Sequence, residues 1–358
     1  MDNKLYKLPP RNDKGVVEIE TKAVLKALAQ AHRKLGELKG YAERVPNKNI
    51  LLNAITLNEA KDSSQIENIV TTHDQLFEAL SSHKEYVGPT KEVLNYKEAI
   101  WQGITAISDR GFLSINMIVD IQEIIEGNKA GIRKQSGTVL KNEATGEIVY
   151  TPPETEKEIR DLMKNLEDYI NIDDECDELI KMAIIHYQFE SIHPFYDGNG
   201  RTGRNINILY LILKGLLDSP ILYLSKYVIE NRGEYYKLLQ GVREENGWKA
   251  WILYMLKGVR ETSEYSLEIL ERISDLIVET TDRIRVELPK IYSYELIEVI
   301  FSEFYTRISN VVDRLGVTRK TAALYLSDLV EIGILREEKK GKEKVFVNQK
   351  LVDIVSNN

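Results

Sequence analysis

Residues 179–213 read LIKMAIIHYQFESIHPFYDGNGRTGRNINILYLIL. Two apolar runs flank a short polar loop. Leu179 through Ile185 is apolar nearly all round, and so is Ile206 through Leu213. A helix apolar on every face must be buried at the centre of a bundle. The pair therefore predicts a mainly α fold around helices at 177–190 and 200–216. Helical 3-4 spacing continues outward from them. Val24, Leu25, Leu28, Ala31, Leu35 and Leu38 mark a first helix, with Thr21 as its N-cap. More helices are predicted near 49–61, 73–82, 90–108 and 115–126, with Thr72 or Asp74, Thr90 and Ser114 as caps. Others follow at 156–170, 230–243, 247–258 and 262–287, before Pro289 punctuates the chain.

The segment 131–153, GIRKQSGTVLKNEATGEIVYTPP, breaks this pattern. Thr138-Val139-Leu140 and Ile148-Val149-Tyr150 are short β-prone runs around a turn signal at 142–146. They predict a β-hairpin inside a helical protein, which must lean on something to be stable. Residues 1–20 mix Pro, Lys and Asp and read as an extended arm.

The chain has 358 residues, 43% of them apolar, enough for two or three domains with real cores. Its single cysteine, Cys176, excludes a disulfide framework and a Cys-rich zinc site, and suits a reducing, cytoplasmic compartment. No apolar run of about 18 residues is present, so no membrane span or membrane partner is expected. A net charge of −8 argues against a chain devoted to coating nucleic acid.

The loop itself concentrates chemistry. His193 can take a proton near neutral pH. Asp197 is a hard oxygen donor suited to Mg²⁺ that also holds phosphates. Asn199, Gly200 and Arg201 open a helix, so their N–H groups form a ready anion site. Arg201 and Arg204, three apart, lie on one helix face and can grip phosphate oxygens. Singly, each has a bland reading as a core histidine, a turn or a solvated face. Together in twelve residues they point to phosphate chemistry. The loop is not a P-loop or a dinucleotide fingerprint, because no Gly-Lys-Ser/Thr follows and no strand precedes it.

These twelve residues match every fixed position of the Fic family signature, His-Pro-Phe-x-Asp/Glu-Gly-Asn-Gly/Lys-Arg-x-x-Arg. The chain resembles that family from its N-terminal helices to about residue 260. The resemblance implies a protein adenylyltransferase that moves AMP from ATP to a Ser, Thr or Tyr hydroxyl. It makes His193 the base, Asp197 the Mg²⁺ ligand and Asn199, Gly200 and Arg201 the anion hole. Arg204 would hold the γ-phosphate. Tyr235 and Tyr236 would flank adenine, although two core tyrosines remain an open alternative. The hairpin takes the place of the family's flap, with Thr138, Val139 and Leu140 pairing with the target. Phe195 would anchor the loop. Ser63-Ser64-Gln65-Ile66-Glu67-Asn68 resembles the family's inhibitory pattern, Ser/Thr-x-x-x-Glu-Gly/Asn. Glu67 would then pair with Arg204 bidentately and misalign ATP.

Residues 290–358 read as a separate unit of net +1, against −9 for the rest. A helix at 293–304, another at 307–315, a turn at Gly316-Val317 and a helix from Arg319 to Ile332 precede two short strands around a charged turn. The order resembles a winged helix-turn-helix. It would be either a DNA-contacting module or a docking and dimerisation module. Between Thr318 and Lys344 seven basic residues face five acidic ones, a thin surplus for DNA.

The expected architecture is thus an arm (1–20), N-terminal helices with the inhibitory motif (21–110), a Fic core (111–260), a linking helix (261–289) and a winged helix (290–358). Expected ligands are ATP and Mg²⁺. Expected partners are a protein substrate, which could be the chain itself, with DNA or a homodimer partner left open. Two other readings are a DNA-binding regulator with a nucleotide-sensing core, and a Fic enzyme that removes AMP or moves another phosphate-linked group.

Overall fold

The computed structural model describes residues 8, 11–12, 15–16, 19–45, 48–81, 86–141, 146–340 and 343–356. The chain opens with a two-residue antiparallel pair, β1 (Arg11–Asn12) and β2 (Gly15–Val16). Five helices follow: α1 (Lys22–Arg44), α2 (Lys48–Ile66), α3 (His73–Ser81), α4 (Pro89–Arg110) and α5 (Ile115–Glu126). The hairpin strands β3 (Leu140–Lys141) and β4 (Ile148–Tyr150) come next. Then come α6 (Glu156–Asn171), α7 (Glu178–Ile192), α8 (Asn199–Leu213), α9 (Leu224–Glu230), α10 (Arg232–Glu245) and α11 (Trp248–Glu287).

The fold is mainly α, with α7 and α8 at its centre. All of α7 except Glu178 and Glu190 is buried, as is most of α8. Their apolar residues leave no face for water, so the other helices must enclose them. Thr21, Ser114 and Asp177 cap α1, α5 and α7 through their side-chain oxygens. Thr72 caps α3, its hydroxyl accepting from Gln75 N–H at 3.2 Å. Thr90 is not a cap. Gly88 and Pro89 start α4 instead, and the Thr90 hydroxyl bonds that of Thr71.

Four expectations need correcting. The helices at 247–258 and 262–287 are one, α11, about 60 Å long at 1.5 Å per residue. Residues 261–287 are the second part of that helix. Gly258 lies inside this helix, where a Cβ would stand 2.8 Å from the Tyr227 ring. It is a packing glycine. Second, α9 lies in a stretch where no helix was expected, and the backbone of Asn231 separates it from α10. Third, α8 ends at Leu213, because Gly215 turns left-handed at φ 67°. Fourth, Thr138 and Val139 lie outside the flap strand. Among the described residues it pairs through Leu140↔Tyr150 and Lys141↔Ile148, with an irregularity between them. The turn at 142–145 and most of the arm fall outside the described residues.

The C-terminal unit runs α12 (Tyr294–Ser302), β5 (Tyr305–Thr306), α13 (Ile308–Leu315), α14 (Arg319–Glu331), β6 (Arg336–Lys340), β7 (Glu343–Val347) and α15 (Gln349–Ser356). The strands form an antiparallel sheet in the order β5-β7-β6, so a two-stranded wing follows a helix-turn-helix. Thr318 caps α14 and Gly316 ends α13 left-handed. The unit docks on α3. Phe77 stacks on Phe304 with ring centroids 4.1 Å apart, and Asp74 accepts from both Tyr305 Oη and Lys340 Nζ. Phe77 is buried, so Phe77→Ala removes a ring from a closed contact. We expect a loss of about 3–5 kcal/mol in chemical denaturation and faster proteolysis after residue 289. An unchanged midpoint would show that the dock is not formed in solution.

Candidate functional site

The loop between α7 and α8 is held by its own atoms. His193 ends α7 in the left-handed region, at φ 49° and ψ 58°, a conformation histidine adopts more readily than most residues. Pro194 follows and cannot continue the helix. The Asn199 side chain clasps the loop: its Oδ1 accepts from Phe195 N–H and its Nδ2 donates to the Phe195 carbonyl, both at 2.9 Å. Phe195 is fully buried and packs on Phe189. Gly198 turns left-handed at φ 77° and starts α8. The first N–H groups of α8, on Asn199, Gly200 and Arg201, have no intrahelical acceptor.

His193 is partly buried, and its pKa is lowered to about 4. Burial is the largest cause; the cations Arg133 and Arg243 act the same way, while Glu67 and the Glu190 backbone oppose them. The ring is thus neutral at pH 7 and free to accept a proton. Asp197 is exposed, and one of its oxygens accepts from Gly198 N–H at 2.7 Å. One solvent-facing carboxylate suits Mg²⁺, which keeps waters and substrate phosphates as its other ligands. Among the described residues, no group of three or more metal-binding side chains occurs.

The two arginines part company. Arg201 reaches α4 and α5, pairing with Glu92 Oε2 at 3.1 Å and Glu126 Oε1 at 2.6 Å. Arg204 reaches α2. Its Nε donates to Ser63 Oγ at 2.8 Å, and its Nη2 donates to the Ser63 carbonyl and to Glu67 Oε1, both at 2.8 Å. The Glu67–Arg204 contact is therefore a single hydrogen bond rather than a bidentate pair, with Ser63 taking Nε and sharing Nη2. Ser63 lies in the last turn of α2, and Glu67 lies just beyond it. Asn68 closes the turn at φ 62°. Arg204 is buried, which alone would lower its pKa, but Glu67 and its other anionic neighbours hold it above the usual arginine range.

Tyr235 and Tyr236 meet edge to face with centroids 5.1 Å apart, yet they differ in setting. Tyr235 is buried, and its hydroxyl meets His186 Nε2 at 2.9 Å. Tyr236 is 46% exposed. Tyr235 therefore backs Tyr236 and offers no open face. The flap is pinned from behind. Tyr150 Oη donates to the Ser191 carbonyl at 3.0 Å, Arg243 stacks 3.8 Å over the Tyr150 ring, and Gln240 donates to the Val149 carbonyl. Ile148 and Val149 remain exposed. Sequence reasoning passed over Glu92, Glu126, Arg133 and Glu190, which lie near the loop. No local motif marks them, since each reaches the loop only through helix packing or the base of the flap. Glu190 is a carboxylic acid pushed up to about 7 by burial, opposed by Arg204.

Comparison with known proteins gives three family matches. Residues 25–105 match the Fic/DOC family N-terminal model, and residues 112–211 match the Fic/DOC family model. Residues 276–351 match the model described as protein adenylyltransferase SoFic-like, C-terminal domain. Protein adenylyltransferase fic-1 of Caenorhabditis elegans is 25% identical over 173 residues, 48% of this chain and 32% of that protein. Its counterpart in Caenorhabditis briggsae is 27% identical over 130 residues, 36% and 24% of the respective chains. The chain spans about a third or less of the length of these curated relatives. A solved Fic family protein from Desulfovibrio desulfuricans superposes with a TM-score of 0.58 at 20% identity, covering 91% of this chain and 96% of that one. A Fic domain-containing signaling protein from Bacteroides thetaiotaomicron gives 0.54 at 18%, covering 70% and 97%.

Ser63→Ala tests the local packing. It strips the Arg204 Nε of its acceptor in a dry site, which costs about 1–3 kcal/mol. Urea denaturation should show that loss, and no loss would mean water replaces the hydroxyl.

Proposed function

The chain belongs to the Fic/DOC family, and on that footing we propose that it is a protein adenylyltransferase restrained by its own Glu67. The observation that carries this reading is the short loop that joins His193 at the end of α7 to the Asn199-Gly200-Arg201 start of α8, with the Glu67 carboxylate packed against Gly200. A proton acceptor next to an anion nest is what in-line transfer to a phosphate-bearing donor requires.

His193 takes the proton of a Ser, Thr or Tyr hydroxyl on the target protein. The freed oxygen forms a bond to the α-phosphorus of ATP, and the bond from that phosphorus to the bridging oxygen breaks, so pyrophosphate leaves. The N–H groups of Asn199, Gly200 and Arg201 receive the anionic oxygens. Asp197 would hold a Mg²⁺ ion that arrives with the nucleotide and neutralises phosphate charge. Tyr236 offers a ring edge of the pocket to adenine. The exposed Ile148-Val149 edge supports strand-like docking of the target segment.

Restraint comes from competition. Arg204 is the cation suited to the γ-phosphate, and Ser63 and Glu67 already occupy it. A triphosphate would have to displace a carboxylate, and a small displacement of the α-phosphorus costs large factors in rate. The wing offers less support for DNA contact. Lys340 pairs with Asp74, Lys344 with Glu337 and Arg336 with Glu338, so part of its positive charge is already neutralised.

The test uses ATP labelled at the α- or γ-phosphate, with wild type, Glu67→Gly and His193→Ala. Label should enter protein only from the α position, rise at least tenfold in Glu67→Gly and vanish in His193→Ala. Label entering from γ would refute the reading and indicate kinase-like chemistry. The pH profile follows from the histidine. Its folded pKa of about 4 lies below the ordinary 6.5, so it stays deprotonated as pH falls through 6.5. Removing Glu67 takes away an anion that raises this pKa, so the limb cannot move upward on that account. In Glu67→Gly, the acid limb of kcat/KM should therefore sit below pH 6.5. A limb at 6.5 or above would mean that His193 is open to water.

A further inference from the structure

Arg133 has no part in the chemistry above, yet its placement is unusual. The residue is 0% exposed, and among the described residues no carboxylate forms an ion pair with it. A cation stripped of water is costly unless its donors are satisfied. Here backbone carbonyls satisfy the Nε and Nη2 donors, and Nη1 is buried without a partner among the described residues. The Nε donates to the His193 carbonyl at 2.7 Å. The Nη2 donates to the Pro153 carbonyl at 2.5 Å and reaches the Ile192 carbonyl at 3.4 Å. The Arg133 backbone N–H donates to the Pro194 carbonyl at 2.9 Å, and Ile132 bridges Phe195.

These side-chain acceptors come from two places. Ile192 and His193 are at the C-terminal end of α7, the negative end of its dipole, where orphan carbonyls attract a cation. Pro153 closes the flap segment, and Arg133 itself opens it. One planar fork therefore ties both bases of the flap to the backbone of the catalytic histidine. Lysine, with a single ammonium point, cannot span the same carbonyls.

We propose that Arg133 is a positioning residue that locks the flap and His193 into one unit and holds a cation beside the histidine ring. This rests on the adenylyltransferase reading for its consequence but not for its test. The charged groups facing His193 are Arg133 and Arg243, which favour the neutral ring, and Glu67, which opposes them together with the Glu190 backbone.

The experiment compares Arg133→Met and Arg133→Lys in the Glu67→Gly chain. Three readouts are taken: the His193 titration midpoint by NMR of histidine-labelled protein, hydrogen exchange of residues 146–153, and AMP transfer beside ATP binding. In Arg133→Met the midpoint should rise, flap exchange should quicken at least tenfold, and transfer should fall about a hundredfold. ATP affinity should stay within about threefold. In Arg133→Lys the midpoint should stay low, because the charge remains, while flap exchange still quickens. If Arg133→Met does not fold, the lysine variant decides: quickened flap exchange with a low midpoint supports the proposal, and parental exchange overturns it. A parental midpoint and parental flap exchange in both variants overturn it as well. If the Glu67→Gly parent transfers no AMP, the functional reading fails, and the titration and exchange data still decide the role of Arg133.

Discussion

The guanidinium of Arg204 is the point on which the molecule turns. It lies in the first turns of α8, the central helix, and projects into the last turn of α2. The Ser63 carbonyl is one of the final carbonyls of α2, where no helical N–H follows to bond it, since Glu67 N–H turns to Ser64 instead. Arg204 satisfies that carbonyl and places positive charge at the negative end of the helix dipole. A buried cation, a helix terminus and a carboxylate thus settle one another. The same cation is the one proposed above to meet the γ-phosphate.

That arrangement gives α2 an unusual status. Its polar residues are buried and spent on other elements. Glu59 accepts from Ser225 and Tyr96, joining α2 to α9 and α4. Burial pushes this carboxyl up to about 7, with the Ser225 hydrogen bonds opposing. Asp62 accepts from Tyr223. Asn58 donates to the Val355 carbonyl at 3.0 Å in the C-terminal unit and meets His73 at its other end. The helix that holds Arg204 is therefore also the one against which the winged unit packs. Its apolar and polar residues are spread around the axis because every side of it meets protein.

Arg133 repeats the Arg204 device at the other end of the site. Each is a buried arginine that collects the terminal carbonyls of a helix, α7 in one case and α2 in the other. They differ in their counter-charge. Arg204 pairs with Glu67, whereas the hydrogen bonds of Arg133 among the described residues go to backbone carbonyls. The loop between α7 and α8 is thus held by short-range contacts of its own, through Asn199 and Phe195, and by the Arg133 guanidinium from outside.

Much of this was legible in the sequence. The two all-apolar runs determine burial of α7 and α8, because side chains without polar atoms cannot face water on any side. Gly198, Asn199 and Gly200 determine a left-handed entry and an open helix N-terminus, since those backbone geometries depend on the residue itself. The helix–turn–helix and wing were readable for the same reason, from caps, Gly316 and alternating strands. Tertiary structure alone decided the rest. The runs at 247–258 and 262–287 read as two helices, yet they form one 40-residue helix, and inside it Tyr227 takes the space a Cβ on Gly258 would fill. Arg201 and Arg204 share a face by spacing, but they are drawn apart by acids on α4, α5 and the turn after α2 that no local pattern links to them. Tyr235 and Tyr236 are adjacent in sequence, and only packing against His186 and Trp251 makes one core and one surface. Periodicity and caps report what a residue does to its own backbone. Which charge meets which depends on helices distant in sequence, and only the closed bundle brings them together.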